Sequence, residues 1–146
     1  MSPAARAWID GASRGNPGEA GFGVVFEVDG HRQEIAGFLG RTTNNVAEYA
    51  ALVAALQHAA RSGCRELEVR SDSELLVRQT TGTYRVKAAH LVPIVLKVNE
   101  LRRLLRRFSI EHVPREENRE ADALANRAVD ERLPLPSWLE LERRPG

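Results

Sequence analysis

Four acidic side chains stand where the sequence pattern ends a strand or begins a helix. Asp10 follows the apolar segment "ARAWI", and Asp72 follows the alternating segment "CRELEVRS". Glu48 and Asp122 fall in the opening turns of two helical patterns. Strand ends and helix starts gather at one edge of an α/β sheet, so the four acids could meet there. Carboxylates so close to one another repel unless cations lie between them. Carboxylate oxygens are ligands that suit Mg²⁺ or Mn²⁺.

Each acid taken alone also has an ordinary structural explanation. An acid in the first turn of a helix interacts favourably with the helix dipole, which would account for Glu48 and Asp122. An acid after a strand often begins a turn, which would account for Asp10 and Asp72. The four together favour a metal site, because a repulsive acidic cluster is costly without metal.

Composition and charge indicate the class of protein to which these residues belong. The chain has 146 residues, 42% of them apolar and 28% charged, which is typical of a single globular domain. No apolar run approaches the ~18 residues of a membrane span. The single Cys64 fits a reducing compartment, so we expect a cytoplasmic location. The net charge of +1 does not by itself indicate a polyanionic partner. The basic segment 97–107 is either the solvated face of an amphipathic helix or a phosphate-contacting patch.

The pattern of elements predicts an α/β domain that spans residues 1–133, followed by a tail over 134–146. A strand, "ARAWIDG", and a loop, "SRGNPGEAG", precede a hairpin that turns at Asp29-Gly30. We expect a helix over 45–62, with Asn44 or Asn45 as its cap and Gly63 at its end. The later elements are predicted as a strand over 64–72, helices over 73–82 and 88–107, a strand over 109–114 and a helix over 117–131. This order favours a five-stranded mixed sheet, antiparallel at first and parallel later, flanked by helices.

Four segments resemble the signature blocks of the type 1 ribonuclease H family, in the family's order. They are "WIDGASRGNPGEAGFGVV", "TTNNVAEYAALVAAL", "VRSDSELLVRQ" and "VPREENREADALANRA", and the resemblance runs from about Ala7 to Val129. It implies a ribonuclease H-like fold and hydrolysis of the RNA strand of RNA–DNA hybrids. The products would carry a 5′-phosphate and a 3′-hydroxyl. The implied partner is the hybrid itself, with no membrane, no obligate protein partner and a monomeric state.

The resemblance also assigns roles to the four acids. It implies two Mg²⁺ (or Mn²⁺) ions in one active site that clamp the scissile phosphate. By similarity, Asp10 would bridge the two ions, Glu48 and Asp72 would hold one of them, and Asp122 would hold the other.

Several polar residues match family positions that contact the substrate. The resemblance implies that Asn16, Asn44 and Asn45 contact the hybrid and that Thr43 helps to hold a DNA phosphate. Contacts with ribose 2′-hydroxyls would distinguish RNA from DNA. The alternative for Asn44 and Asn45 is plain helix capping.

The chain departs from many bacterial members in two places. Arg115 occupies the position at which they carry a histidine that assists product release, as in compact archaeal-like members, and we expect it to contact a phosphate and assist catalysis. The alternative is a surface arginine paired with Glu116 or Glu117, and we interpret His112 as structural. A basic, tryptophan-rich protrusion is absent after the fourth strand, and "TTGTYRVKAAHLV" could provide only a smaller replacement. Weaker hybrid binding with a shallow salt dependence would follow.

Two other functions remain open from the sequence. The same fold and metals could serve a nuclease that cuts double-stranded RNA or DNA. The chain could also be a module that binds nucleic acid without cutting it, although a pure binder has no use for a repulsive acidic cluster.

Overall fold

A computed structural model describes residues 3–143, which form one mixed sheet with helices on both faces. The five strands are β1 (Ala4–Gly15), β2 (Gly18–Val28), β3 (His31–Thr42), β4 (Glu66–Ser71) and β5 (Arg107–His112), in the spatial order β3-β2-β1-β4-β5. The first three strands pair antiparallel, whereas β4 runs parallel to both β1 and β5. The predicted fold class and strand directions are therefore confirmed.

Four α-helices cover this sheet. They are α1 (Asn44–Arg61), α2 (Glu74–Thr80), α3 (Val92–Arg102) and α4 (Arg119–Asp130). Alternate residues of β2 serve the two faces, as expected for a strand. Phe22, Val24 and Phe26 join the core beneath α1, while Gly23 lies against α4. The sheet thus carries α1 on one face and α4 on the other, and each of these helices bears one of the four acids.

Two glycines allow these helices to approach the sheet around Asp10. A Cβ on Gly11 would lie 2.5 Å from the backbone of Glu48, and a Cβ on Gly23 would lie 2.7 Å from the backbone of Ala121. Gly11 follows Asp10 in the chain, and Gly23 is the residue of β2 that pairs with Asp10. A side chain at either position would push α1 or α4 away from the strand that carries Asp10.

The predicted loop "SRGNPGEAG" is wrong, because most of it is strand. Strand β1 continues to Gly15 and β2 begins at Gly18, so only Asn16 and Pro17 lie between them. Ser13 and Arg14 pair with Ala20 and Glu19. The Gly, Pro and Asn content marks a tight turn, and the ladder on either side overrides the weak strand propensity.

The predicted helix over 88–107 is too long at both ends. A 3₁₀ turn occupies Ala89–Leu91, and α3 starts at Val92 with a proline in its first turn. At the other end, the N–H groups of Arg106 and Arg107 donate to the carbonyl of Arg65, at 2.7 and 3.2 Å. These bonds draw the chain into β5 beside β4, so Phe108 belongs to a strand.

Three of the five cations of segment 97–107, Lys97, Arg102 and Arg106, contact other parts of the protein. The Lys97 ammonium is nearly buried and lies 3.5 Å from Glu140, and Arg106 pairs with Glu66. Arg102 donates to the Thr80 carbonyl and lies over the Phe108 ring. These contacts give the three residues a role within the fold, and the choice for the rest of segment 97–107 between a solvated helix face and a phosphate-contacting patch stays a prediction.

The described part of the predicted tail packs against the domain. The Arg143 N–H donates to the Pro93 carbonyl at 3.3 Å, and the Glu140 N–H donates to the Gln57 side-chain oxygen at 2.9 Å. Trp138 packs against the core and lies beside the His58 ring. Residues 1–2 of the predicted domain and 144–146 of the predicted tail lie outside the described residues. Within 3–143, no helix has both the length and the hydropathy that crossing a bilayer requires.

Candidate active site

Three of the four predicted acids meet where the parallel pairing of β1 with β4 ends. One carboxylate oxygen from each of Asp10, Glu48 and Asp72 lies within 4.8 Å of the other two. The β1–β4 ladder ends at Ile9 and Ser71, so Asp10 and Asp72 are the next residues of two neighbouring parallel strands. Helix α1 crosses above them and brings Glu48 to the same point. Asp10 and Asp72, 62 positions apart in the chain, are neighbours because the strand order places β4 beside β1.

The carboxylates of Asp10 and Glu48 are buried, and each is only 4% exposed. Burial is the largest cause that raises the pKa of Asp10, and the charges of Glu48 and Asp72 raise it further. Burial and the charge of Asp72 also raise the pKa of Glu48, while hydrogen bonds from Asp10 and Gly11 offset only part of this. Asp10 and Glu48 therefore hold protons at a pH at which isolated carboxylates have lost theirs.

One oxygen of this cluster lacks a partner. Among residues 3–143, the Oε2 atom of Glu48 is buried and accepts no hydrogen bond. A buried carboxylate oxygen without a donor is costly, and a cation is the usual compensation. Three oxygen donors within one cation's reach and an orphaned acceptor together fit a hard divalent metal.

Glu48 lies deeper in its helix than the sequence pattern predicts. Helix α1 begins at Asn44, so Glu48 is its fifth residue, and the first turn contains no acid. The helix-dipole explanation therefore fails for Glu48, whose side chain is buried against β1 instead. Asp122 does lie in the first turn of α4, as predicted.

Asp122 lines the same open pocket but stands outside the group of three. The pocket, of about 350 Å³, is bounded by the four acids together with Gly11, Asn44, Ser73, His112, Val113, Pro114 and Arg115. Asp122 raises the pKa of Asp10 through a hydrogen bond and through its charge. This effect is smaller than those of burial and of the charges of Glu48 and Asp72. It is half-buried, as is Asp72.

The predicted substrate-binding residues at the start of α1 lie in different pockets, and one of them caps the helix. Asn44 lines the acidic pocket, whereas Asn45 lines a separate groove of about 500 Å³ beside Tyr84 and Lys87. Thr43, and neither asparagine, caps α1: its Oγ1 accepts from the Val46 N–H at 3.2 Å. The predicted capping by Asn44 or Asn45 is therefore wrong. Helix capping consequently does not account for Asn44 or Asn45.

Asn16 makes a contact that the sequence did not indicate. Its Oδ1 accepts from the Asn44 backbone N–H at 3.0 Å, which ties the tip of the β1–β2 hairpin to the start of α1. Asn16 itself remains exposed. The residue thus orders the helix start that carries Asn44.

Arg115 and His112 both line the acidic pocket. Arg115 is exposed, begins a 3₁₀ turn over Arg115–Glu117 and forms no ion pair with Glu116 or Glu117 in the described chain. His112 is the last residue of β5 and is exposed at the pocket wall, a position that sequence reasoning missed. Its place follows from the register of β5, which runs parallel to β4 and pairs its last residue with Ser71, just before Asp72.

Comparison with known proteins identifies the family. The family model described as "Reverse transcriptase-like" matches residues 9–128, which include all four acids. Ribonuclease HI of Halobacterium salinarum is 46% identical over 127 residues, which make up 86% of this chain and 64% of that protein. The crystal structure of RNase H1 from that archaeon has a TM-score of 0.83 to this chain, with 45% identity and coverage of 88% of this chain and 98% of that one. This chain belongs to the ribonuclease H family. The resemblance inferred from the four sequence segments is confirmed.

Two further members of the ribonuclease H family show how the domain is used elsewhere. LC11-RNase H1, whose structure was determined in complex with an RNA/DNA hybrid, has a TM-score of 0.81 and 41% identity, over 87% of this chain and 97% of that one. The "Bifunctional protein Rv2228c" of Mycobacterium tuberculosis is 44% identical over 124 residues, which are 83% of this chain but only 34% of that protein. The chain therefore spans about a third of the length of this bifunctional relative.

Proposed function

We propose that this chain hydrolyses the RNA strand of RNA–DNA hybrids, leaving 5′-phosphate and 3′-hydroxyl ends. The observation that carries the proposal is the approach of the Asp10, Glu48 and Asp72 oxygens to within 4.8 Å of one another. The hybrid bound to LC11-RNase H1 supports the substrate class. The half-open pocket, with acids on its floor and Arg115 on its wall, suits a phosphodiester better than a small apolar molecule.

The acidic residues would hold two Mg²⁺ or Mn²⁺ ions. Asp10, Glu48 and Asp72 offer a set of oxygen donors, and Glu48 Oε2 is an acceptor in need of a cation. Asp122 lines the same pocket and would complete the set. When bound, such ions polarise the phosphate, lower the pKa of the attacking water and offset charge on the leaving oxygen. Metal binding requires Asp10 and Glu48 to lose the protons that burial and repulsion from neighbouring acids favour, so metal affinity should rise with pH.

Other residues would bind and orient the substrate. Asn44, exposed at the rim of the acidic pocket, and Asn16 beside it would contact ribose hydroxyls of the RNA strand. Thr43 would contribute to a DNA phosphate site while capping α1. Asn45 lies in the groove with Tyr84, Arg85 and Lys87, which we assign to the DNA strand as a reduced substitute for the missing protrusion.

Cleavage of matched substrates tests the proposal. End-labelled RNA–DNA hybrid, duplex RNA and duplex DNA of one sequence are incubated with Mg²⁺, with Mn²⁺, or with a chelator. The proposal expects cleavage of the hybrid alone, within its RNA strand, and no cleavage in chelator. Cleavage of duplex RNA at a comparable rate would replace it with a broader nuclease, and binding without any cleavage would leave only a binding module.

Replacing Arg115 with alanine is expected to reduce turnover on the hybrid by about tenfold or more, because a cation at the pocket wall stabilises phosphate charge in the transition state. Arg119→Ala is the matched control, since Arg119 is also exposed but lines a different pocket. Steady-state kinetics of both variants decide the matter. Equal rates for the two variants would show that Arg115 is an ordinary surface arginine without a role in cleavage.

A further inference from the structure

Asn118 is a buried amide placed between two of the acid-bearing elements. Its side chain is 1% exposed, and its Nδ2 donates to the backbone carbonyl of Ile9 at 2.8 Å. Ile9 is the last residue of β1 that pairs with β4. The asparagine therefore meets β1 at the point where the parallel ladder stops, one residue before Asp10.

The backbone of Asn118 connects the same residue to two other groups of the pocket. The Asp122 N–H donates to the Asn118 carbonyl at 3.1 Å, which is the first hydrogen bond of α4. The Asn118 N–H donates to the Arg115 carbonyl at 2.9 Å. One residue thus links the strand that carries Asp10 to the helix turn that carries Asp122 and to the 3₁₀ turn that carries Arg115.

Helix capping does not explain this side chain. Asn118 occupies the N-cap position of α4, where an asparagine normally accepts from an N–H of the first turn. Here it makes no such bond, and its Oδ1 is buried with no hydrogen-bond partner within residues 3–143. The amide is turned away from its own helix and towards β1, although this leaves a buried acceptor unsatisfied.

We propose that Asn118 is a positioning residue, which fixes Asp122 and Arg115 relative to Asp10 through its hydrogen bond to Ile9. This inference rests on the proposed function, because it assigns a purpose to the alignment of those three groups. Asparagine suits the task because it is short enough to lie at a helix start and carries an N–H donor. Aspartate has the same shape but, when ionised, presents only acceptors to the Ile9 carbonyl.

The test compares Asn118→Ala with Val98→Ala, a core truncation on α3 at a residue that is 2% exposed. Both variants lose stability, but only the first removes the tie between β1 and α4. We expect Asn118→Ala to lower kcat on the hybrid by about tenfold relative to Val98→Ala, with KM within about twofold, because displaced groups act on the transition state more than on binding. Asn118→Leu has a branched side chain with no donor and should lose kcat in the same way, and it replaces the alanine variant if that variant does not fold.

Amide hydrogen exchange without metal gives a second readout that needs no activity. Protection of the Asp122 N–H should fall about tenfold more in Asn118→Ala than in Val98→Ala, because the first turn of α4 is no longer held to β1. Unchanged Asp122 protection, or a kcat equal to that of Val98→Ala, would overturn the inference. If the wild-type chain cuts no substrate, the proposed function fails, and hydrogen exchange alone still decides whether Asn118 holds α4 in place.

Discussion

Asp10→Asn is expected to abolish hybrid cleavage, with a loss of about a thousandfold or more, because a metal site that loses its central charged ligand loses most of its effect on the phosphate. The substitution changes charge while keeping shape. The Gly11 N–H that donates to Asp10 Oδ1 at 3.0 Å can donate equally to an asparagine carbonyl. The variant should therefore fold normally, so lost activity reports on the site.

Asp130→Asn serves as the control for Asp10→Asn. Asp130 is an exposed acid at the end of α4 that pairs with Arg14, outside the acidic pocket. Initial rates on labelled hybrid at saturating Mg²⁺ should be unchanged in this control. Near-normal rates for Asp10→Asn would discredit the assignment of the acidic cluster as the metal site.

The metal-free protein is expected to lose stability as pH rises. Asp10 and Glu48 have folded pKa values above those of free carboxyl groups, chiefly because they are buried and then because neighbouring acids repel them. The folded state therefore keeps protons that the unfolded state releases above about pH 4. The stabilising contribution is complete below that pH and declines steadily as pH rises through the neutral range, because the unfolded state releases protons that the folded state retains until pH reaches its raised pKa values.

Urea unfolding in chelator at a series of pH values between about 5 and 8 measures this effect. We expect the free energy of unfolding to fall by at least about 2 kcal/mol across the series. Asp10→Asn should show a weaker pH dependence and higher stability at the alkaline end. Added Mn²⁺ should restore wild-type stability there by binding only the folded state. A wild-type free energy that is flat or rising over this interval would contradict the repulsive cluster.

The sequence was sufficient for the acids and the sheet because both depend on strong local signals. Strand periodicity predicts β1 and β4, and their parallel pairing ends at the residue before Asp10 and the residue before Asp72, which brings the two acids together. The four segments that resemble ribonuclease H occur in the order of that family's signature blocks, and this order indicated the family. Family membership followed from the combination of segments and from no single one.

Local pattern was insufficient wherever a tertiary hydrogen bond sets the outcome. Thr43, Asn44 and Asn45 are all good capping residues, and only the structure shows that Thr43 takes that position. The end of α3 is set by the Arg65 carbonyl, which lies far away in the chain and draws Arg106 and Arg107 into the sheet. Helix propensity in "LRRLLRR" could not reveal this competing partner.

The contact of Asn118 was equally hidden in the sequence. Its position four residues before Asp122 marks a helix cap, the most ordinary explanation for an asparagine. Its bond to Ile9 joins residues 109 positions apart, so it exists only once α4 has packed on β1. His112 was missed for a related reason, since its place in the pocket depends on the register between β4 and β5.

Anomalous diffraction from crystals of this protein grown with Mn²⁺ tests the central claim most directly. The account predicts anomalous peaks within bonding distance of carboxylate oxygens of Asp10, Glu48 and Asp72, with the Glu48 oxygen that now lacks a partner among the ligands. Crystals of Asp10→Asn under the same conditions should lose at least one of these peaks. Saturating Mn²⁺ with no peak at these three carboxylates would contradict the claim that they form a metal site.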